Sequence, residues 1–262
     1  TMKKRTVAVV MAAAMTIGMM VTGVSVQAGV EDKTLIVGFD AEYPPFGYMD
    51  ESGEYVGFDL DVAQKVCDNL GWELVKKPIN WDSKDMELNS GNIDCIWNGF
   101  TMNGREDDYE WSKPYMKNNQ VFVVRGDSDI NSEADLAGKN VEVQTDSSAE
   151  AALNDNSELT STFGSLTPVA DYNTAFMDLE SGAVDAIAMD DVVASYQITS
   201  RKADFKVLDD VIAAEEYGIG FKKGNTGLRD KVQATLEEMA ADGTLAKIST
   251  KWFGEDITTI GK

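Results

Sequence analysis

The sequence predicts an α/β protein folded as two lobes around a cleft. Two observations carry this. Apolar runs of strand length alternate with helical spacings over residues 35–98, and the alternation begins again over 121–189. No Pro-, Gly- or Ser-rich linker separates the two series. The lobes must therefore be joined by short extended crossings, for which 121–125 and 215–221 are the candidates.

The first series opens with the apolar run 35–39, a strand that ends at Asp40. Leu60, Ala63, Cys67 and Leu70 recur at helical spacing, with Asp59 as the expected N-cap and Gly71 just past the end. A strand over 72–76, a helix over 82–90 stopped by Gly91, and a buried strand over 93–98 complete a βαβαβ order, which favours a mostly parallel sheet. In the second series, strands are expected at 121–125, 141–144 and 184–189, with helices at 147–153 and 174–181. Asp190 and Asp191 begin a further helix. A strand at 217–221 and helices at 226–241 and 245–253 close the chain; Leu228, Val232, Thr235, Leu236 and Met239 share one face. Residues 31–120 and 217–262 are thus expected to form a discontinuous first lobe and 121–216 the second, with paired crossings that make a hinge.

Residues 1–28 read as an export signal: Lys3, Lys4 and Arg5, then an apolar run, then Val26 and Ala28 before Gly29 as a cleavage site. An uncleaved membrane anchor is the alternative. With a formal charge of −22 the chain repels nucleic acid and anionic lipid, and no nucleic-acid partner is expected. The absence of histidine removes Ser-His-Asp and Cys-His nucleophile systems and the commonest zinc ligand, so no metal or cofactor is expected. Cys67 and Cys95 fall at apolar positions of a helix and a strand, which favours buried free thiols, although an exported protein could join them.

Four loops follow strands and so can face one cleft. In Asp40-Ala41-Glu42-Tyr43-Pro44-Pro45-Phe46 two prolines stiffen the chain and make walls of Tyr43 and Phe46. Trp81 stands at a helix start. The segment from Asn98 to Arg105 puts the Gly99 backbone, the Thr101 hydroxyl and the Arg105 guanidinium at one spot, groups that grip a carboxylate. In the second lobe, Asp190 can hold an ammonium, with Ser147 and Ser148 beside it. Each of these residues has a plainer reading as core aromatic, helix cap or loop residue. Together they are the inventory for a zwitterionic α-amino acid.

Several motifs in order resemble one family. Val37 to Phe46, Gly57-Phe58-Asp59-Leu60-Asp61-Val62-Ala63, Ser90 to Asp94, Val184-Asp185-Ala186 with Asp190, and Ala241-Asp242-Gly243-Thr244 through Lys251-Trp252-Phe253-Gly254 are similar to the family 3 periplasmic solute-binding proteins, receptors of polar amino-acid ABC importers. The resemblance implies the type II periplasmic-binding-protein-like fold, a monomer, an L-amino-acid ligand that is polar or cationic, a membrane permease as partner, and a place outside the cytoplasmic membrane. It implies that Arg105 clamps the α-carboxylate with Thr101 and the Gly99 backbone, that Ser148 and Ser147 add contacts, that Asp190 binds the α-ammonium, and that Tyr43 and Trp81 sandwich the side chain near Asp40. Thr101 to Arg105 is one residue shorter than the family pattern. Asp146 stands where the family carries Gly, and is expected to point away from a bound carboxylate. The competing reading is an exported cyclohexadienyl dehydratase-like enzyme, with Glu42, Asp40 or Glu87 as general acid.

Overall fold

The computed structural model describes residues 34–262. The export-signal reading of 1–28 lies outside the described residues. The chain runs through β1 (Thr34–Phe39), β2 (Glu42–Tyr43), β3 (Gly47–Met49), β4 (Tyr55–Val56), α1 (Phe58–Leu70), β5 (Glu73–Pro78), a 3-10 turn at Trp81–Ser83, α2 (Lys84–Asn89), β6 (Cys95–Thr101) and β7 (Glu110–Trp111). It continues through β8 (Met116–Arg125), β9 (Asn140–Gln144), α3 (Ser148–Asp155), α4 (Ser157–Thr160), β10 (Ser165–Val169), α5 (Tyr172–Ser181), β11 (Ala186–Asp190), α6 (Asp191–Arg201), β12 (Phe205–Phe221), α7 (Thr226–Ala241) and α8 (Thr244–Phe253).

The main sheet has the order β10-β9-β11-β8-β12-β6-β1-β5. Its two ends are parallel: β1 pairs with β5 and β6, and β9 with β10 and β11. The middle is antiparallel, because β8 and β12 pair with each other from Phe205↔Arg125 to Tyr217↔Met116. The crossings are strands, as expected, but longer than the segments the sequence suggested, and they pair with each other as a ladder. That pairing joins the two α/β halves into one sheet.

Several elements were not anticipated, among them β10 and the small sheet β2-β3-β4. Strand β10 (Ser165–Val169) carries a proline and lies at the sheet edge, where a missing N–H is tolerated. The small sheet β2-β3-β4 folds the proline loop over the end of β1. This loop places Phe46 in the core against Phe58, Tyr217 and Phe253, so Phe46 is not a cleft wall.

Helix α1 buries Phe58, Leu60, Val62, Ala63, Val66 and Cys67. Each large apolar side chain buried this way contributes about 1.5–3 kcal/mol. The residue at its N-cap is Gly57, not Asp59. Only glycine fits there: φ is 149°, and a Cβ would lie 2.1 Å from the Phe46 carbonyl oxygen. Asp59 is instead inside the first turn, fully buried, with another task described below. Cys67 and Cys95 are both free and buried, on α1 and β6.

Candidate functional site

Strand β6 is buried at every position, and its end carries most of the first wall of the site. Asn98, Gly99 and Thr101 line a cavity of about 20 Å³, together with Tyr43, Trp81 and Arg105. The opposite wall is Gln144 at the end of β9, Ser147 and Ser148 at the start of α3, and Asp190 at the end of β11. Eight of the nine residues singled out from the sequence therefore meet at one cavity. The ninth, Asp40, sits at its outer margin and accepts from Gln144 Nε2 at 2.7 Å. Phe100, Tyr109 and Trp111 pack behind the wall, and the Arg105 guanidinium lies 5.2 Å from the Phe100 ring centroid. Gly104, at φ 78°, turns the shortened loop tightly enough for Arg105 to reach the cavity.

The hydrogen bonds change two roles. The N–H of Gly99 donates to Asp59 Oδ2 at 2.6 Å, and the Tyr115 hydroxyl donates to the same oxygen at 2.9 Å. Gly99 thus offers the cavity no backbone donor. Burial raises the Asp59 carboxyl to about 7, against these bonds, which lower it. Thr101 Oγ1 donates to Glu215 Oε2 at 2.8 Å, which spends the only hydrogen of that hydroxyl. In this structure both donors are therefore engaged within the protein. Arg105 lies beside them and keeps N–H groups to spare. Its NH1 donates to the Thr101 carbonyl at 3.3 Å and its NH2 to the Asp146 carbonyl at 3.2 Å.

Asp190 occupies the N-cap position of α6 but makes no capping bond. Its Oδ2 accepts from Asn118 Nδ2 at 2.7 Å and from the Tyr217 hydroxyl at 2.6 Å. It is 3% exposed, and among the described residues no ion pair reaches it. Burial first, then the Glu215 carboxylate, push it above the usual carboxylate range. Ser147 does cap α3, accepting from Glu150 N at 3.1 Å. Ser148 Oγ accepts from Gln120 Nε2 at 3.0 Å.

Asp146 shows why the family pattern has glycine here: its φ is 58°, in the left-handed region. Its carboxylate turns outward, as expected, and pairs with Lys84, a cation only 2% exposed. The Asp146 carbonyl also accepts from Trp81 Nε1 at 3.2 Å. Trp81 also lines a second, larger space of about 710 Å³, here called the vestibule, whose ionisable lining groups are all acidic: Asp40, Glu42, Asp82, Glu87 and Asp171. Burial raises Asp40 to about 6.

The description "Bacterial extracellular solute-binding proteins, family 3" matches residues 35–255. The chain belongs to this family. This family 3 protein is 33% identical over 231 residues to the L-cystine-binding protein TcyJ of Escherichia coli (strain K12), covering 87% of this chain and 85% of the relative. It is 32% identical over 226 residues to the arginine-binding extracellular protein ArtP of Bacillus subtilis (strain 168), covering 84% and 86%. Its fold superimposes on an ABC uptake transporter substrate-binding protein from Streptococcus pneumoniae with bound histidine, with a TM-score of 0.84, 33% identity, and coverage of 87% and 95%. An ancestral arginine-binding protein bound to arginine gives 0.78 at 38% identity, covering 85% and 99%.

Sequence reasoning missed Glu215, Asn118, Gln120 and Lys84. The first three lie on the crossing strands β8 and β12, outside the strand segments 121–125 and 217–221 expected from the sequence. The signal available was a polar run, Asn118-Asn119-Gln120, just before the apolar stretch of β8. A strand that turns polar next to the sheet centre has its polar groups buried there and paired.

Proposed function

We propose that this family 3 protein captures a polar or cationic L-amino acid between its lobes and delivers it to an ABC permease. The observation that carries this is the pairing of one guanidinium with one buried carboxylate across a cavity. Arg105 stands on the first wall and Asp190 on the second. The Arg105 fork takes the α-carboxylate. Asp190 takes the α-ammonium, and Thr101 and the Gly99 backbone stand beside Arg105 on the carboxylate side. Tyr43 and Trp81 bound the path of the side chain, Ser147 and Ser148 hold the second wall, and Asp40 guards the exit to the vestibule. Residues 31–120 with 217–262 form one lobe and 121–216 the other, and they close as hinged bodies. Closure is favoured only as far as the ligand prefers the closed state.

The protein acts exported and monomeric at the outer face of the membrane, with 1–28 as its signal peptide. Among the described residues no helix is long and apolar enough to cross a membrane. The relatives named as cystine- and arginine-binding and the acidic vestibule both support a ligand with a polar or cationic distal group. A thermal-shift panel of the twenty amino acids with ornithine, citrulline and cystine tests the reading. At a concentration 100 times Kd, an accepted ligand adds about 2.7 kcal/mol to stability. A panel with no shift defeats it. Incubation with prephenate should yield no product; turnover there would favour the dehydratase reading.

A further inference from the structure

The small sheet meets helices α5 and α6 at two points outside the head-group cavity. Tyr48 on β3 places its hydroxyl 3.1 Å from that of Tyr196 on α6, with ring centroids 6.2 Å apart. Glu42 on β2 accepts a short bond from Asn173 Nδ2 on α5. Glu42 and Tyr48 are direct partners across the β2–β3 ladder, so both side chains leave one face of the sheet. The receiving side is also one unit. Asn173 Oδ1 accepts from Arg201 NH2 at 2.7 Å and from Gln197 Nε2 at 3.2 Å, and Gln197 Oε1 accepts from Arg201 Nε at 3.0 Å. Gln197 directly follows Tyr196 on α6. Arg201 can only donate, and the Glu42 carboxylate can only accept, so the Asn173 amide between them has one permitted orientation. Behind Tyr48 the Trp252 ring stands edge-on at 6.2 Å, and its Nε1 donates to Asp61 Oδ2 on α1 at 2.8 Å.

We infer that the small sheet is a strap. When the cleft closes, Tyr48 and Glu42 fasten it to Tyr196 and Asn173, and this holds the closed state by an amount that does not depend on which amino acid is bound. The inference rests on the reading of two lobes that close, with β2 to β4 in residues 31–120 and α5 and α6 in 121–216. Tyr48, Tyr196 and Asn173 line neither the cavity nor the vestibule, so the ligand does not compete for them. Glu42 and Asp171 do line the vestibule, so the bond from Asn173 to Glu42 runs along its rim. Tyr48, Tyr196 and Asn173 are only partly buried and Glu42 is exposed, so each bond alone is weak. The two act together because one sheet face presents both. Once the first has formed, the second closes between partners already in place.

A polarity swap tests the strap. In Asn173→Asp, Arg201 and Gln197 keep an acceptor, so the link between α5 and α6 and the ligand-free melting temperature should hold. The introduced carboxylate then faces Glu42, and the strap should release. Adding Glu42→Gln supplies an N–H that can donate to that carboxylate, and should fasten the strap again. Photo-oxidation that couples neighbouring tyrosines reads this directly, with the Tyr48–Tyr196 linked peptide quantified by mass spectrometry in the ligand-free full chain. Its yield should fall about threefold to tenfold in Asn173→Asp, the range set by one hydrogen bond, and return to near the wild-type yield in the double variant. Calorimetry with L-arginine and L-glutamine gives the second reading. Tyr48→Phe should weaken both by one common factor, about threefold, and adding Tyr196→Phe should weaken them no further. A linked peptide missing from wild type overturns the proposal. So does a yield that Asn173→Asp leaves unchanged or that Glu42→Gln does not restore, and so does a Tyr48→Phe loss that differs between the two amino acids. If wild type binds no amino acid, the functional reading fails, and the cross-link in the ligand-free chain still decides the strap.

Discussion

The head-group cavity and the vestibule share Trp81 as a common wall and differ in almost everything else. The cavity is about 20 Å³ and its polar side chains are tied to one another: Asp190 to Asn118 and Tyr217, Thr101 to Glu215, Ser148 to Gln120. The vestibule is about 710 Å³ and lined with acids, several of which serve local structure, such as Asp171 capping α5. A wall whose groups are mutually bonded adapts little, and on the proposed function it would recognise what every α-amino acid has in common. A wide acidic space is permissive of shape and favours positive charge. The proposed function thus divides capture from choice of side chain, and each can be broken separately.

The largest effect is expected inside the cavity. Arg105→Ala should weaken every accepted amino acid by about 2–5 kcal/mol, because it removes one partner of a desolvated charge pair. Arg105→Lys should also lose, since an ammonium cannot make the planar fork. Asp190→Asn should fold normally, because Asp190 makes no capping bond, yet bind weakly and fail to compact on adding ligand in small-angle scattering. If either Arg105 variant binds at wild-type strength in calorimetry, the carboxylate is held elsewhere.

The same acid gives the cavity a pH dependence. Asp190 must be ionised to hold an ammonium, and burial and Glu215 raise its folded value. Affinity should therefore rise with pH above the ordinary carboxylate range until the group has ionised. The ligand-free fold responds in the opposite sense. Asp190, Asp59 (about 7) and Asp40 (about 6) bind more protons folded than unfolded in that window. Their contribution to stability falls as pH rises from about 4 to about 7. Asp59→Asn should flatten that fall in denaturation curves taken across the window; an unchanged slope would show that Asp59 is ionised throughout.

How much of this could be read beforehand follows from the kind of contact. Residues whose role depends on the end of one strand, such as Arg105 after β6 and Asp190 after β11, were legible because a strand end and a side-chain type suffice. The roles of Gly99 and Thr101 were not, because they depend on which distant group takes a hydrogen. Asp59 is 40 positions from Gly99 and Glu215 is 114 from Thr101. The βαβ order fixed both parallel ends of the sheet. The long pairing of β8 with β12 was hidden because its polar half, Met116–Gln120, lacks the apolar run that marks a buried strand.

The contacts at the boundary between the two regions should have intermediate effects. Lys84, Trp81 and Arg105 all bond Asp146. If the lobes close as proposed, Asp146→Asn leaves a buried cation without its carboxylate only in the closed state, so closure should be disfavoured. Because the Asp146 side chain is 53% exposed, the cost is set at about 1.4 kcal/mol, or roughly tenfold in affinity, rather than the larger figure for a fully buried pair. All ligands should lose equally. Trp81→Ala touches both regions and should instead reorder the panel, with long or flat side chains losing most. A uniform loss with a lower ligand-free melting temperature would make Trp81 core packing, consistent with its edge contact on Phe100.

The smallest effect belongs to the vestibule alone. Asp82 lines it, stands in the first turn after Trp81, and is neither a cap nor part of the cavity wall. An exposed carboxylate acts on a passing cation through high-dielectric solvent, so its worth is about 0.2–1 kcal/mol. Asp82→Asn should therefore weaken L-arginine a few-fold at most and leave L-glutamine unchanged. The difference should shrink as salt rises, because a charge at this distance is screened within about 8–10 Å at ordinary ionic strength. The effect of Arg105→Ala, made at a direct contact with the ligand on the proposed function, should survive the same salt better. Equal loss for arginine and glutamine would mean that Asp82 shapes the Trp81 turn rather than the field, and the vestibule would then select by space and not by charge.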